Sequence, residues 1–172
     1  YGKLLEEWLI EKLKVAGVYA ASNEKFVFPG HPLISGEIDI LVKEPDESFA
    51  VIENKTFSGC NYQGLKSLSG SPGRGTKFPY LKPKPKISHL MQSHIYLHAI
   101  SGISKVYLTY IDRAAGSPSN NFQFDITNYQ TDEGNFPLVT TERAWSNEPI
   151  SYVEESFTIE SIINGYEFLH EH

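Results

Sequence analysis

GEIDILVKEPDESFAVIENKT, residues 36–56, reads as two strands around the turn KEPDES. Ile38, Ile40 and Val42 alternate with Asp39 and Leu41, and Val51 precedes Glu53 by two. Successive strand side chains point to opposite faces. Glu53 and Lys55 therefore share the face of Val51, with Asn54 opposite. A hairpin would bring Asp39 beside Glu53. One face of each strand is wholly apolar, and the charged residues share the other with Leu41 or Val51. A charge in so nearly buried a position costs free energy unless something pairs with it.

Two readings meet that cost. One is a cross-strand salt bridge on a solvated face. In the other, Asp39 and Glu53 hold a hard cation through oxygen while the Lys55 ammonium orients water and offsets charge on a phosphate.

The rest of the chain bears on that choice. Its 172 residues suffice for one domain, 1–172, with a sizeable core. The first residue is Tyr1, which leads us to expect a piece of a longer chain. No apolar run approaches the roughly 20 residues of a membrane span, so no membrane partner is expected. A single cysteine, Cys60, excludes an intrachain disulfide framework or a four-cysteine cage and suggests a reducing, intracellular setting. The net charge of -6 hides an asymmetry. Residues 55–86 carry seven basic side chains (Lys55, Lys66, Arg74, Lys77, Lys82, Lys84, Lys86) and no acid. From Asp125 onward there are ten acids and one arginine, Arg143, a face that could meet protein partners. Local fields, not the total, govern encounter with a polyanion.

LLEEWLIEKL reads as an amphipathic helix, with Leu5, Trp8, Leu9 and Leu13 at helical spacing and Gly17 as its stop. EKFVFP suggests a short strand. ISHLMQSHIYLHAI reads as a helix closed by Gly102, SKVYLTYI and NFQFDIT as strands, and TIESIINGYEFLHEH as a final helix. Between them lies a Gly-, Ser-, Pro- and Lys-rich stretch, residues 56–86, in which YQGLKSL could make a helical turn. The order helix, strands, helix, strand, strand, helix predicts an α/β fold with a central mixed sheet flanked by helices.

The set SGEIDIL, AVIENKT and QSHIY resembles the PD-(D/E)xK nuclease superfamily, and within it the RecB-like and phage-exonuclease-like branch. The motifs are Gly36 to Asp39 (G-x-x-D), Glu53-Asn54-Lys55 (E-x-K) and Gln92 to Tyr96 (Q-x-x-x-Y). The resemblance covers about two-thirds of the chain. It implies a restriction-endonuclease-like core and a Mg2+- or Mn2+-dependent deoxyribonuclease that processes DNA ends in recombination, repair or phage replication. Asp39 and Glu53 would bind the metal by side chain and Asn54 by its backbone carbonyl. Lys55 would position the attacking water, and Gln92 and Tyr96 would brace the site or touch the DNA backbone. The family often places His or Glu four residues after a Gly on the first helix, here Gly2 and Glu6. Glu6 is thus a further candidate, as a metal ligand or as the holder of a metal-bound water, against a snorkelling or capping Glu in the first turn. Cluster-bearing branches need cysteines that this chain lacks.

In the basic stretch, Phe57, Tyr62, Phe78 and Tyr80 interleave with the cations, which suits phosphates and unpaired bases. A merely solvated charge run is the alternative. His89 lies three before Gln92 and could contact substrate, and His31 could approach from a loop. His94 and His98 have the i,i+4 spacing that can suit zinc, but no H-E-x-x-H accompanies them, and an ordinary packed pair is preferred. GSPGRGTK lacks the G-K-[ST] of a phosphate loop. Competing functions are a non-catalytic nucleic-acid-binding module of the same fold and an RNA endonuclease of the cap-snatching type.

Overall fold

A computed structural model describes residues 2–57, 84–112, 122–141 and 149–171. Helix α1 (Gly2–Ala16) ends at Gly17, whose φ of 76° is left-handed and suits a glycine. Strands β1 (Tyr19–Phe28), β2 (His31–Lys43) and β3 (Phe49–Phe57) follow. Helix α2 (Ile87–Ala99) precedes β4 (Ile103–Asp112). Then come β5 (Phe122–Thr131), β6 (Gly134–Thr141), β7 (Ile150–Val153) and helix α3 (Ile159–Glu171). The seven strands form one mixed sheet in the order β1-β2-β3-β4-β5-β6-β7. Only β3 and β4 run parallel, which requires a crossover, and α2 lies in that connection.

The α/β architecture is the one the sequence predicts, with two differences in detail. β1 is longer than the EKFVFP strand. The strands β6 and β7 were not anticipated. GNFPLVTT carries Pro137, whose missing N–H argues against an interior strand. Pro137 nevertheless pairs with Asn128 of β5, and its carbonyl accepts the Glu154 amide.

Burial explains the layers. On β4, Val106, Leu108 and Tyr110 are buried, as are Phe122, Phe124 and Ile126 on β5. They meet Val51 of β3, Leu90, Tyr96 and Ala99 of α2, and Ile159 and Ile162 of α3 in one cluster. Fully burying each such side chain contributes roughly 1.5–3 kcal/mol before entropy is counted. A smaller cluster (Ile40, Val42, Ala50, Ile52) receives Leu9, Ile10 and Leu13 of α1. Trp8, expected on the apolar stripe of α1, is instead 57% exposed, with the Lys12 ammonium 5.7 Å from its ring centroid.

The two clusters divide β2. Ile38 belongs to the larger one, beneath α2 and α3, whereas Ile40 and Val42 belong to the smaller one, beneath α1. Regular alternation would place all three on one face, as the sequence suggests. The alternation breaks at Asp39. Opposite it on β1, between the pairs Ser22↔Ile40 and Glu24↔Ile38, stands Asn23 with a left-handed φ of 55°. Asn is one of the few residue types that tolerates this conformation.

Candidate active site

β2 and β3 pair antiparallel over Ile40↔Ile52, Leu41↔Val51, Val42↔Ala50 and Lys43↔Phe49. The next position in register holds Asp39 and Glu53. Beyond it β2 continues with β1 alone and β3 with β4 alone. The two acids therefore stand at the fork where the strands part. Such a fork gives carboxylates room to converge without a ladder hydrogen bond between them.

Glu53 is only 4% exposed. One of its oxygens, Oε1, lies 2.9 Å from Lys55 Nζ. The other, Oε2, is buried and meets no partner at hydrogen-bond geometry, although the Asp39 carboxyl and the Tyr96 hydroxyl stand close to the Glu53 carboxyl. Burial raises the Glu53 carboxyl to about 7, helped by the neighbouring Asp39 charge and opposed by Lys55. A buried orphan carboxylate oxygen beside a second carboxylate calls for a shared proton or a cation. The donor set Asp39, Glu53 and a backbone carbonyl thus fits a hard divalent ion. Asn54 turns its side chain to the other face, where Oδ1 accepts the Thr109 hydroxyl, so only its backbone is left for this role. Among the described residues, no group of three or more His, Cys, Asp or Glu is arranged to hold a metal ion.

Glu6 lies beyond the first turn of α1, which contains no acid. It is half-buried, and its carboxyl is pushed up by burial and then by Asp39 and Glu37. The helix thus adds a third carboxylate to the electrostatic neighbourhood of the fork.

Lys55 is held from the other side by α2. Its ammonium donates to Gln92 Oε1 at 3.0 Å. Gln92 Nε2 donates to the Tyr96 hydroxyl at 2.8 Å, and Tyr96 donates to the Glu37 carbonyl at 3.3 Å. Burial raises the Tyr96 phenol, and the charges of Glu53 and Asp39 add to this. Gln92 and Tyr96 thus link Lys55 to the Glu37 carbonyl, the contacts that a bracing role would use.

The brace also explains Gly36. Phe26 faces it across the β1–β2 ladder, and a Cβ at Gly36 would meet the Phe26 ring at 3.1 Å. That ring stands edge-on to Tyr96, centroids 5.5 Å apart at 89°. Gly36, Phe26, Tyr96, Gln92, Lys55 and Glu53 form one contact chain. We expect Gly36→Ala to displace Phe26 and cost about 1–2 kcal/mol, measurable as a lower midpoint in urea unfolding. An unchanged midpoint would show that the ring yields freely.

His89, Lys84 and Lys86 gather where α2 begins. His89 Nδ1 lies 2.6 Å from the Tyr110 hydroxyl, and the Lys86 amide donates to that hydroxyl at 3.3 Å. The Lys84 ammonium sits 4.8 Å from the Tyr152 ring centroid. Lys66, Arg74, Lys77 and Lys82, with Cys60, Tyr62, Phe78, Tyr80 and the YQGLKSL turn, lie outside the described residues.

Two histidine expectations resolve. His31 pairs with Phe28 at the hairpin turn, eight residues along β2 from Asp39, so it does not approach the fork from a loop. At about 3.3 Å per residue, that is some 26 Å along the strand. His94 and His98 pack edge-on at 4.7 Å. Their Nε2 atoms are engaged by the Asn135 carbonyl and Asn128 Oδ1, each at 3.0 Å, so the packed pair is the better description than a zinc site.

Sequence reasoning missed Tyr110 and Phe26, which touch site residues from distant strands. A scan against protein-family models finds no matching family. Searches of curated proteins and of solved structures likewise find no match.

Proposed function

We propose that the chain is a divalent-metal-dependent nuclease acting on DNA, with Asp39, Glu53 and Lys55 at its centre. One observation carries the reading. Two carboxylates from neighbouring antiparallel strands meet at a fork, and the inner one keeps a buried, unpartnered oxygen beside an anchored ammonium. The resemblance of the three motifs to the PD-(D/E)xK superfamily supports the same reading, as does the basic composition of residues 55–86.

Asp39, Glu53 and the Asn54 carbonyl would hold Mg2+ or Mn2+, with Glu6 at hand on α1. When bound, such an ion supplies an acidified water and positive charge for the phosphate. Lys55 offsets negative charge developing on the phosphate and orients the incoming water, held in place by Gln92. Lys84 and Lys86 provide phosphate contacts at the edge of the site.

The test is purified protein with end-labelled linear DNA, circular DNA and RNA, each with Mg2+, Mn2+ or chelator. Cleavage of DNA that needs the ion and disappears in chelator is expected. Binding without cleavage under every ion would favour a non-catalytic nucleic-acid module. Preferential cleavage of RNA would favour the cap-snatching type of endonuclease. We further expect Gln92→Ala to reduce kcat about tenfold by releasing Lys55, with little change in KM. A loss confined to KM would instead assign Gln92 to DNA contact.

A further inference from the structure

Near the fork, the hydrogen bonds of one imidazole fix its chemical form. The Tyr110 hydroxyl belongs to a residue that is 2% exposed. It accepts the Lys86 amide, and its only other hydrogen-bond partner among the described residues is His89 Nδ1. A buried hydroxyl proton needs an acceptor. If Nδ1 carried a hydrogen, the hydroxyl would accept twice and its own proton would be stranded. The hydroxyl must therefore donate to Nδ1, and the ring proton must reside on Nε2. The same reasoning disfavours imidazolium, in which Nδ1 is also a donor. Burial, then the charges of Lys55 and Lys86, lower the His89 ring to about 4, so it is neutral at pH 7.

Lys55 thus lies within electrostatic reach of a neutral ring whose Nε2–H is left for another acceptor. His89 stands one helical turn before Gln92, which holds Lys55. Resting on the nuclease reading, we propose that His89 is a fixed, uncharged Nε2–H donor to a substrate phosphate oxygen, with Tyr110 as the positioning residue that sets its tautomer. The chemistry suits a phosphodiester. A neutral donor strengthens its bond as charge grows on the phosphate oxygen, and it gives up no proton, so none must be recovered between turnovers. The tautomer is set by the bond the other ring nitrogen makes, so the side chain needs no reorganisation when substrate arrives.

The test combines NMR with kinetics. Long-range 1H–15N spectra of histidine-labelled protein at pH 7 should show His89 protonated on Nε2 alone. Tyr110→Phe should turn this into a mixture of tautomers. A short oligonucleotide added with Ca2+ should shift the His89 Nε2 resonance. In Mn2+, His89→Ala should lose about a hundredfold in kcat. His89→Gln, which places an amide N–H near the Nε2 position, should recover part of that loss, whereas His89→Asn should not. An Nδ1-protonated or charged ring, or full cleavage by His89→Ala, would overturn the proposal. If the wild-type protein cleaves nothing, an oligonucleotide-dependent shift at His89 would preserve the phosphate contact while the nuclease reading fails. Absence of both would end both.

Discussion

Asp39→Asn is expected to abolish ion-dependent DNA cleavage, by at least about a thousandfold, and at the same time to make the cation-free protein more stable. A lost metal ligand removes both the ion's charge and its acidified water, together worth several kcal/mol of transition-state stabilisation. The gain in stability comes from the same atoms. Glu53 Oε2 is buried without a partner, and the Asp39 charge pushes the Glu53 carboxyl upward. An amide at position 39 removes the repulsion and can offer a donor to that oxygen, a benefit of about 1 kcal/mol. Urea unfolding in chelator, with and without added Mn2+, measures it. Wild type should gain from Mn2+ and the variant should not. Lys55→Ala should also lose cleavage, but with the opposite effect on the fold. It strands Glu53 Oε1 and Gln92 Oε1 together, for roughly 2 kcal/mol of destabilisation. A pure Asp39→Asn or Lys55→Ala protein that still cuts DNA would remove the basis of the functional reading.

The second large effect is in pH. The folded Glu53 carboxyl sits at about 7, above its ordinary 4.5, so the native state binds the proton more tightly than the unfolded chain does. Stability from this group is complete below about pH 4.5, falls as pH rises, and levels off above about 7. His89 and His94 work the other way. Burial chiefly lowers each ring to about 4 from an ordinary 6.5, so their contribution is lost as pH falls from about 6.5 to about 4. Opposing slopes in one window mask each other in wild type alone. The difference between wild type and Glu53→Gln isolates the carboxyl. In chelator, Glu53→Gln should gain on wild type steadily from pH 4.5 to 7 and then hold its lead. Adding Mg2+ or Mn2+ should close that gap at pH 8 and hardly alter it at pH 5, because the ion competes with the proton. A gap that is flat across pH would mean that Glu53 does not titrate in this range.

How much was legible in the sequence follows from which contacts are local. Asp39 and Glu53 were visible because charges interrupt apolar strands, and a five-residue turn brings their strands into one hairpin. α1, α2, β4 and β5 were visible from period and composition. β6 and β7 were not. Pro137 and Gly134 give β6 the composition of a loop, and β7 is four residues long. Their strand state comes from the neighbour, since β5 offers Phe124 and Ile126 as a buried surface on which Val139 packs. The break in alternation at Asp39 was hidden for a similar reason. Its signal is Asn23 on the partner strand, which acquires meaning only once the register is known. The Tyr110–His89 and Phe26–Gly36 contacts join distant parts of the chain, and no short motif encodes them.

The sequential strand order concentrates tolerance to added length in one connection. Every strand adjoins its neighbour in sequence, and the parallel step from β3 to β4 is the one place where a long excursion is compulsory. Doubling such an excursion costs only about 0.6 kcal/mol in closure entropy. Within that excursion α2 carries core side chains and the Gln92 hold on Lys55, so tolerance to added length belongs to the chain outside that helix.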